Sequence, residues 1–272
     1  MNQIDRDWLK VSRSGFYDWL TRKESNRAKE DRQLSCKILT LYNESRGTYG
    51  SPRIHKALRR KGIRVGEKRV ERLMRLLRIQ GRVEKVTRKQ PGLKRFKEAG
   101  ANLRLDASEV TGPDQQWVAD VTYIKLHGTW FYLAVVMDVY SRRILGWSLG
   151  KNRTTELTLA ALRYAAKGRN ISSVKLFHTD RGIEYTAYRF RDELKKYGCR
   201  PSFNRPGRCT DNAHMESFFH TLKAELIRGR YYRNEADLRY SLNSYINRFY
   251  NHRRLHSGIG YNTPAEYERN VA

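Results

Sequence analysis

Apolar positions recur with helical spacing through the first third of the chain and with strand spacing through the middle. Between Asp31 and Asn43, residues Leu34, Ile38, Leu41 and Tyr42 fall at i, i+4, i+7 and i+8, the stripe of an amphipathic helix. Ser51 and Pro52 open a short helix that turns Ile54, Ala57 and Leu58 inward. Gly62 ends it, and Gly66 precedes a second helix whose inward positions are Val70, Leu73, Met74 and Leu77. Two short helices joined by a glycine-bounded turn make a helix-turn-helix pattern at about 48–80, within an all-α region 1–80. Upstream, Val11 to Leu20 predicts a short helix with Ser14 as N-cap and Phe16, Trp19 and Leu20 buried.

From Gly81 to Pro113 periodicity fades while Gly, Pro, Lys and Arg accumulate (RKQPGLKRFKEAG), which predicts a basic linker or extended strap over 81–113. Beyond it, Trp117–Leu126, Thr129–Val139 and Arg142–Leu149 are rich in β-branched and aromatic residues and are joined by short links, so three consecutive antiparallel strands are expected. Thr155–Lys167 then reads as a helix, Val174–His178 as a short buried strand, and Tyr188–Tyr197 and Asn212–Ile227 as helices. That order is the order of a ribonuclease-H-like α/β core, a mixed sheet with helices, placed at 114–230. Asn234–Tyr250 predicts a further helix within a C-terminal helical extension, 231–272.

Charge changes the picture from fold to partner. Among 272 residues, 55 Lys and Arg face 28 Asp and Glu, a formal charge of +27. Self-repulsion of that size is relieved by a polyanion, so nucleic acid leads, with a ribosomal-type or merely soluble basic protein as the alternative. Residues 1–113 carry +16 and 114–272 carry +11, so both halves are basic. Lys68, Arg69, Arg72 and Arg75 lie mostly off the apolar stripe of the second short helix, which suits a cationic face in a DNA major groove or a plain solvated face. The longest apolar run, Phe131–Met137, is seven residues, far short of the roughly 20 that cross a bilayer, and Asp5 and Asp7 sit where an export signal needs apolar residues. A cytoplasmic, nucleoid-associated bacterial protein is the expectation. Cys36, Cys199 and Cys209 lack CxxC spacing, so reduced thiols are expected.

Three carboxylates stand where this fold can bring them together. Asp120 lies midway along the first core strand among Val118, Val121 and Ile124, where a charge is costly unless paired or metal-bound. Asp180 follows the strand ending at His178, at the strand exit where α/β sites gather. Glu216 lies on the Asn212 helix, with 35 residues between it and Asp180, and shares a helix face with Phe219 and Lys223 while Phe218, Leu222 and Leu226 form the apolar face. Converging carboxylates are what a pair of Mg²⁺ ions requires, with Mn²⁺ able to substitute, and such a pair clamps both oxygens of a phosphoryl displacement. Taken singly, each carboxylate also reads as a turn, edge or solvated residue. Asp138 and Asp211 are assigned structural roles, at the hairpin turn and as N-cap of the Glu216 helix. His252 and His256 have i, i+4 spacing without Cys or carboxylate, which points to a surface or DNA-backbone role rather than zinc.

W-V-A-D-V-T-Y-I, H-T-D-R-G-I-E-Y and D-N-A-H-M-E-S-F-F resemble the integrase core of DDE transposases, and more narrowly the second-frame product of the bacterial insertion-sequence-three family. S-R-S-G-F-Y-D-W-L, Y-G-S-P-R-I-H-K-A-L-R-R-K-G, S-R-R-I-L-G-W-S and Y-N-H-R-R-L-H-S-G-I-G-Y-N-T-P-A-E-Y are similar to blocks of that family in the same order, so the likeness runs over nearly the whole chain. It implies that Asp120, Asp180 and Glu216 form the metal-binding catalytic triad in the D,D(35)E pattern, and that Lys223 contacts the element's terminal DNA. It further implies a transposase that cleaves and joins DNA strands at the ends of an insertion sequence through a circular intermediate. The implied partners are double-stranded terminal repeats and target DNA, a homodimer or higher oligomer on DNA, and an upstream-frame product. The last is expected because residues 1–22 resemble only the tail of a helix-turn-helix and no heptad repeat appears. Ile183 and Glu184 depart from the pattern, Glu184 by adding negative charge beside Asp180. A structure-selective nuclease of the same fold, or a non-catalytic element-derived DNA-binding regulator, are the alternatives. A strand-transfer assay separates the first, and the intact carboxylates argue against the second.

Overall fold

A computed structural model describes residues 12–82, 100–105, 107–169, 171–206 and 209–270. The chain divides after Gly81 into two units. Most of the predicted linker, 83–99, lies outside the described residues.

The first unit contains α1 (Arg13–Thr21), α2 (Asn26–Glu44), α3 (Ser51–Arg60) and α4 (Glu67–Leu76). Ser25 caps α2 by accepting from the Ala28 amide, and Leu34, Ile38 and Leu41 on its apolar stripe are buried. The helices α2, α3 and α4 pack on one another, closing over Ile54, Leu58, Val70, Leu73 and Met74. The turn between α3 and α4 runs through Gly62 at φ +77°, a conformation glycine adopts without strain, and Gly66 is the N-cap of α4. The expected helix-turn-helix spacing is therefore met. Helix α1 corrects two expectations: its N-cap is Ser12, which accepts from the Gly15 amide at 3.1 Å, and Trp19 and Leu20 are exposed. Nine residues with no buried position leave this helix without a core of its own.

The picture of four solvated cations on α4 is also corrected. Arg69 Nε donates to Asp31 at 2.7 Å and Arg69 Nη2 to Glu30 at 3.0 Å, while Arg72 also donates to Asp31. These arginines tie α4 to α2, and the two guanidiniums hold the Asp31 carboxyl below its ordinary pKa. Arg75 pairs with Glu71 one turn back at 3.0 Å. Lys68 is exposed and has no ion pair among the described residues.

In the second unit β1 (Gln116–Leu126), β2 (Thr129–Asp138) and β3 (Ile144–Gly150) form an antiparallel meander, as their alternation predicts. β4 (Leu176–Thr179) and β5 (Arg200–Phe203) add in parallel beside β1, giving the order β3-β2-β1-β4-β5. β4 starts two residues later than expected, and β5, four residues with Pro201 inside, carries too little pattern to be read. Helix α5 (Thr155–Lys167) lies on β2 and β3, where a Cβ at Gly146 would sit 2.2 Å from the Ala161 carbonyl oxygen, so only glycine permits the approach. Short helix α6 (Ile183–Thr186) leads into α7 (Tyr188–Lys196), and Phe190 and Leu194 join Trp117, Ala119, Val136, Leu162 and Phe177 in the core on this face. Helix α8 (Ala213–Leu222) packs against β1 and continues as π-helical turns, Lys223–Ile227. α9 (Glu235–Asn243) is likewise prolonged by π-helical turns, Ser244–Tyr250, before the terminal α10 (Pro264–Arg269).

The expected extension 231–272 is built into the catalytic unit. Asn251 exchanges both side-chain hydrogen bonds with the backbone of Ile144, as a sheet partner would. Glu268 accepts from Arg169 and Arg143, and the Ser141 hydroxyl lies within hydrogen-bond distance of both Glu268 and the buried Asp138, bridging the two carboxyls. Arg254 Nη2 donates to Glu225 at 2.7 Å, both side chains being almost fully buried, and Tyr245 Oη donates to the same carboxylate at 2.7 Å. Burial alone would lower the Arg254 pKa; the Glu225 carboxylate reverses that and raises it. His256 is buried beside Arg254, stacked edge-on against Tyr250, so a surface or DNA-backbone role for it is corrected. The part of the expected linker at 100–105 also belongs to the core: Phe203 donates to the Ala101 carbonyl, the Leu103 amide to Ser202 Oγ, and Asn102 to Asp211. No helix among the described residues is long and apolar enough to cross a membrane.

Breaking a buried ion pair strands a charge, which typically costs about 3–5 kcal/mol. Arg254→Met is therefore expected to lower the unfolding free energy of the chain by about that amount, measured by urea titration, while Arg254→Met combined with Glu225→Met recovers part of the loss. A single variant as stable as the parent would show that this pair does not anchor the C-terminal segment.

Candidate active site

The parallel pairing of β1 and β4 aligns Val118 with His178, so two residues further on Asp120 and Asp180 lie at neighbouring strand positions. Asp120 is held within β1, its Oδ1 accepting from the Val121 amide at 2.7 Å. Loss of water around it, then the negative charge of Asp180, raises its pKa far above the ordinary carboxylate range. Asp180 Oδ1 accepts from the Gly182 amide at 2.9 Å. Asp180 Oδ2 receives Arg153 Nη2 at 3.4 Å, and the same guanidinium is clamped by the buried Glu184, with Nε donating at 2.7 Å. A Cβ at Gly182 would come within 2.4 Å of Glu184 Oε1 and 2.9 Å of Asp180 Oδ1. The glycine of the D-R-G turn is thus what lets two carboxylates close on one arginine.

Across from them α8 is pinned to β1 by Asn212, whose Nδ2 donates to the Ala119 carbonyl at 3.1 Å, next to Asp120. Glu216 follows one turn later and is half-buried. Asn212, not Asp211, is the N-cap of α8, which corrects the earlier assignment. Asp211 instead accepts from the Arg205 amide and guanidinium and from Asn102, holding the preceding loop to the strap at 100–105. His178 is a satisfied core residue between Ser202 and Asn204, and burial lowers its pKa to about 4.

Asp120 and Asp180 are thus brought together, with Arg153 and Glu184 beside them. No set of three or more His, Cys, Asp or Glu side chains among the described residues is grouped closely enough to hold a metal ion, so Glu216 is on the facing helix but not gathered with the pair. Tyr185 Oη and Asn212 Oδ1, on residues that border the site, are buried with no hydrogen-bond partner among the described residues. Burial first, and then the charges of Asp120, Asp180 and Glu184, raise the Tyr185 pKa, which marks its hydroxyl as facing the carboxylates. Two adjacent carboxylates bordered by unpartnered polar oxygens offer the hard oxygen donors that a divalent cation and its coordinated water take.

Lys223 stands where α-helical geometry gives way to π-helical turns, so the simple two-turn relation to Glu216 holds only to Leu222. Its Nζ lies 4.6 Å from the centre of the Tyr123 ring. Arg153, Tyr185 and Asn212 were missed in the sequence. Tyr185 and Asn212 sit inside the quoted blocks and could have been found there, whereas Arg153 lies in the β3–α5 turn with no pattern of its own.

Integrase core domain family models match residues 110–209 and 197–264, and an HTH-like domain model matches 28–87. The chain is 35% identical to the insertion element IS600 uncharacterized 31 kDa protein of Shigella sonnei, over 94% of each chain. It is 34% identical to the transposase for insertion sequence element IS904 of Lactococcus lactis, over 91% of this chain and 98% of that one. It is also 34% identical to transposase InsF of insertion sequence IS3A from Escherichia coli, over 97% and 93%. Among solved structures, the simian T-cell lymphotropic virus intasome in complex with PP2A regulatory subunit B56 gamma shares the fold at 15% identity, with a TM-score of 0.50 over 85% of this chain and 74% of that one. Fold and site together define a DDE-type enzyme with a ribonuclease-H-like integrase core and a helix-turn-helix-like domain. The chain belongs to the IS3 family of insertion-sequence transposases, enzymes of DNA strand cleavage and transfer.

An unpartnered buried hydroxyl costs about 1–3 kcal/mol. Tyr185→Phe, measured by denaturant titration in EDTA, is therefore expected to leave stability unchanged or raise it by about 1 kcal/mol. A loss of that size would show that the hydroxyl has a protein partner.

Proposed function

We propose that Asp120, Asp180 and Glu216 carry the chemistry of this transposase. The adjacency of Asp120, within β1, and Asp180, just past the end of the parallel strand β4, with Glu216 on the facing helix, supports this reading. Two divalent ions held by these three carboxylates, Mg²⁺ or Mn²⁺, would supply Lewis-acid charge at the attacking and leaving oxygens. In the first displacement a water oxygen bonds to phosphorus, the bond to the 3′ oxygen breaks, and a 3′-OH is left at the element end. In the second, that hydroxyl oxygen bonds to the phosphorus of another phosphodiester, the bond from that phosphorus to its own 3′ oxygen breaks, the displaced 3′ oxygen takes up a proton as the attacking hydroxyl loses one, and a strand is joined. Arg153 steadies the outer oxygen of Asp180 so that its other oxygen faces the reaction, and Glu184 holds Arg153. The Tyr185 hydroxyl and the Asn212 carbonyl orient water at the carboxylates.

Lys223 holds a phosphate of the element's terminal DNA as a point charge. In the first unit Lys68 reaches a DNA backbone, while Arg69, Arg72 and Arg75 add positive field and share their guanidiniums with Asp31, Glu30 and Glu71. Terminal repeats and target DNA are the substrates, an oligomer on paired ends is the active form, and an upstream-frame product completes end recognition. A nucleoid-associated location follows from that substrate.

Asp120→Asn, Asp180→Asn and Glu216→Gln are each expected to abolish Mg²⁺-dependent cleavage and joining while DNA binding survives. Parent-like cleavage by any of the three overturns the triad. Lys223→Ala is expected to slow cleavage, leave calorimetric metal affinity unchanged and lower the salt slope of DNA binding by about one phosphate contact. An unaltered slope with unaltered cleavage would reduce Lys223 to a surface charge.

A further inference from the structure

The β1–β2 hairpin has two unlike halves. On one sheet face its inner half is core, with Trp117, Ala119, Ala134 and Val136 packed under the helices. The outer half of that same face carries Tyr123 and Lys125 on β1 opposite Tyr132 and Trp130 on β2, in the pairs Tyr123–Tyr132 and Lys125–Trp130. Thr122, Ile124 and Leu126, pointing the other way, are buried, so the exposure belongs to one face and not to a frayed strand end. Tyr123 is 52% exposed and Trp130 45%, and their rings meet edge to face at 5.1 Å. Each ring also has an ammonium beside it: Lys223 Nζ at 4.6 Å from Tyr123 and Lys125 Nζ at 5.3 Å from Trp130.

Two large aromatics held rigidly in water by a paired hairpin are not needed by the core, which lies on the inner half. Their lysines select the partner: an anionic chain whose charges are spaced between flat, apolar groups. Base pairs stacked within a duplex present no ring faces, whereas an unpaired base does, and aromatic stacking with flanking cations is how single strands are gripped without sequence reading. We propose that Tyr123, Trp130, Lys125 and Lys223 form a stacking platform for unpaired bases of a DNA strand, the rings taking bases and the ammoniums taking the adjoining phosphates. This rests on the DNA-processing function above, because hydrolysis of one strand creates an end whose bases can leave the duplex.

The test is fluorescence anisotropy of the full chain with a labelled duplex bearing a short oligothymidine 3′ overhang and with the same duplex blunt-ended. Tyr123→Ala and Trp130→Ala are each expected to weaken binding of the overhang duplex by about tenfold and leave the blunt duplex unchanged. Tyr123→Phe is expected to behave as the parent, and Trp130→Leu, which keeps apolar bulk but removes the π face, is expected to behave as Trp130→Ala. The melting temperature should not move, since both rings are exposed. Equal losses on both duplexes, parent-like Trp130→Leu, or a parent chain that does not prefer the overhang would overturn the platform. Failure of the wider reading looks different: the parent chain would neither cleave nor join element-end DNA, whatever its overhang preference.

Discussion

Repulsion between Asp120 and Asp180 is the constraint around which the catalytic unit is organised. Burial first, and then the negative charge of Asp180 just past the neighbouring parallel strand, disfavour charge on Asp120, and the fold has to hold it in place against that cost. It does so with rigid backbone on one side and with cations and donors on the other. The hydrogen-bonded ladders of β1 with β2 and β4 fix Asp120, the Gly182 amide fixes Asp180, and Arg153 brings positive charge to the pair while Glu184 keeps Arg153 in place. The Tyr185 hydroxyl and the side-chain oxygen of Asn212, whose amide nitrogen bonds next to Asp120, have no hydrogen-bond partner among the described residues. Polar groups are rarely buried unsatisfied, so two at one place mark where hydrated charge is to be received.

Much of this was legible in the residues and some was not, for physical reasons. The meander β1–β3 and helix α5 are long and strongly patterned, and their limits fall within a residue or two of expectation. β4 was legible as a short buried strand, two residues early, whereas β5, four residues with Pro201 inside, is too short for a period to show and owes its identity to a neighbour it meets only in three dimensions. The carboxylates were visible because a charge inside an apolar strand, or just past one, is anomalous. Arg153 was invisible because an arginine in a basic chain is ordinary until its partners are known. Caps failed in the same way: Ser12 against Ser14, and Asn212 against Asp211, differ by geometry that adjacent polar residues do not disclose.

The count of 55 lysines and arginines overstates how much positive charge is at liberty, because part of it is already spent on carboxylates that the net of +27 subtracts. Arg69 and Arg72 are tied to Asp31 and Glu30, Arg254 lies buried against Glu225, and Arg169 and Arg143 are bound to Glu268. Arginine serves these places because its planar fork satisfies a carboxylate with several donors at once. Lysine, a mobile point charge, is left for the surface, as at Lys68, or beside aromatic rings, as at Lys125 and Lys223. Sequence counting treats these residues alike, although the buried carboxylates Glu225 and Glu268 are both met by arginine.

The same pairing explains why the C-terminal segment is welded to the core. Glu225 lies in the π-helical continuation of the helix that carries Glu216, and Arg254, Tyr245 and the backbone-facing Asn251 lock that continuation to the terminal helices and to β3. Glu216 is the member of the carboxylate set not yet gathered with the other two, so its helix is the element whose position matters most to assembly of the site. A wider π turn at Lys223, just past Leu222, accommodates a change of helical phase between the end that bears Glu216 and the end held by Arg254. One end of this helix is pinned to β1 through Asn212 and the other to the C-terminal segment through Glu225, so the stretch that carries Glu216 is held between two fixed points.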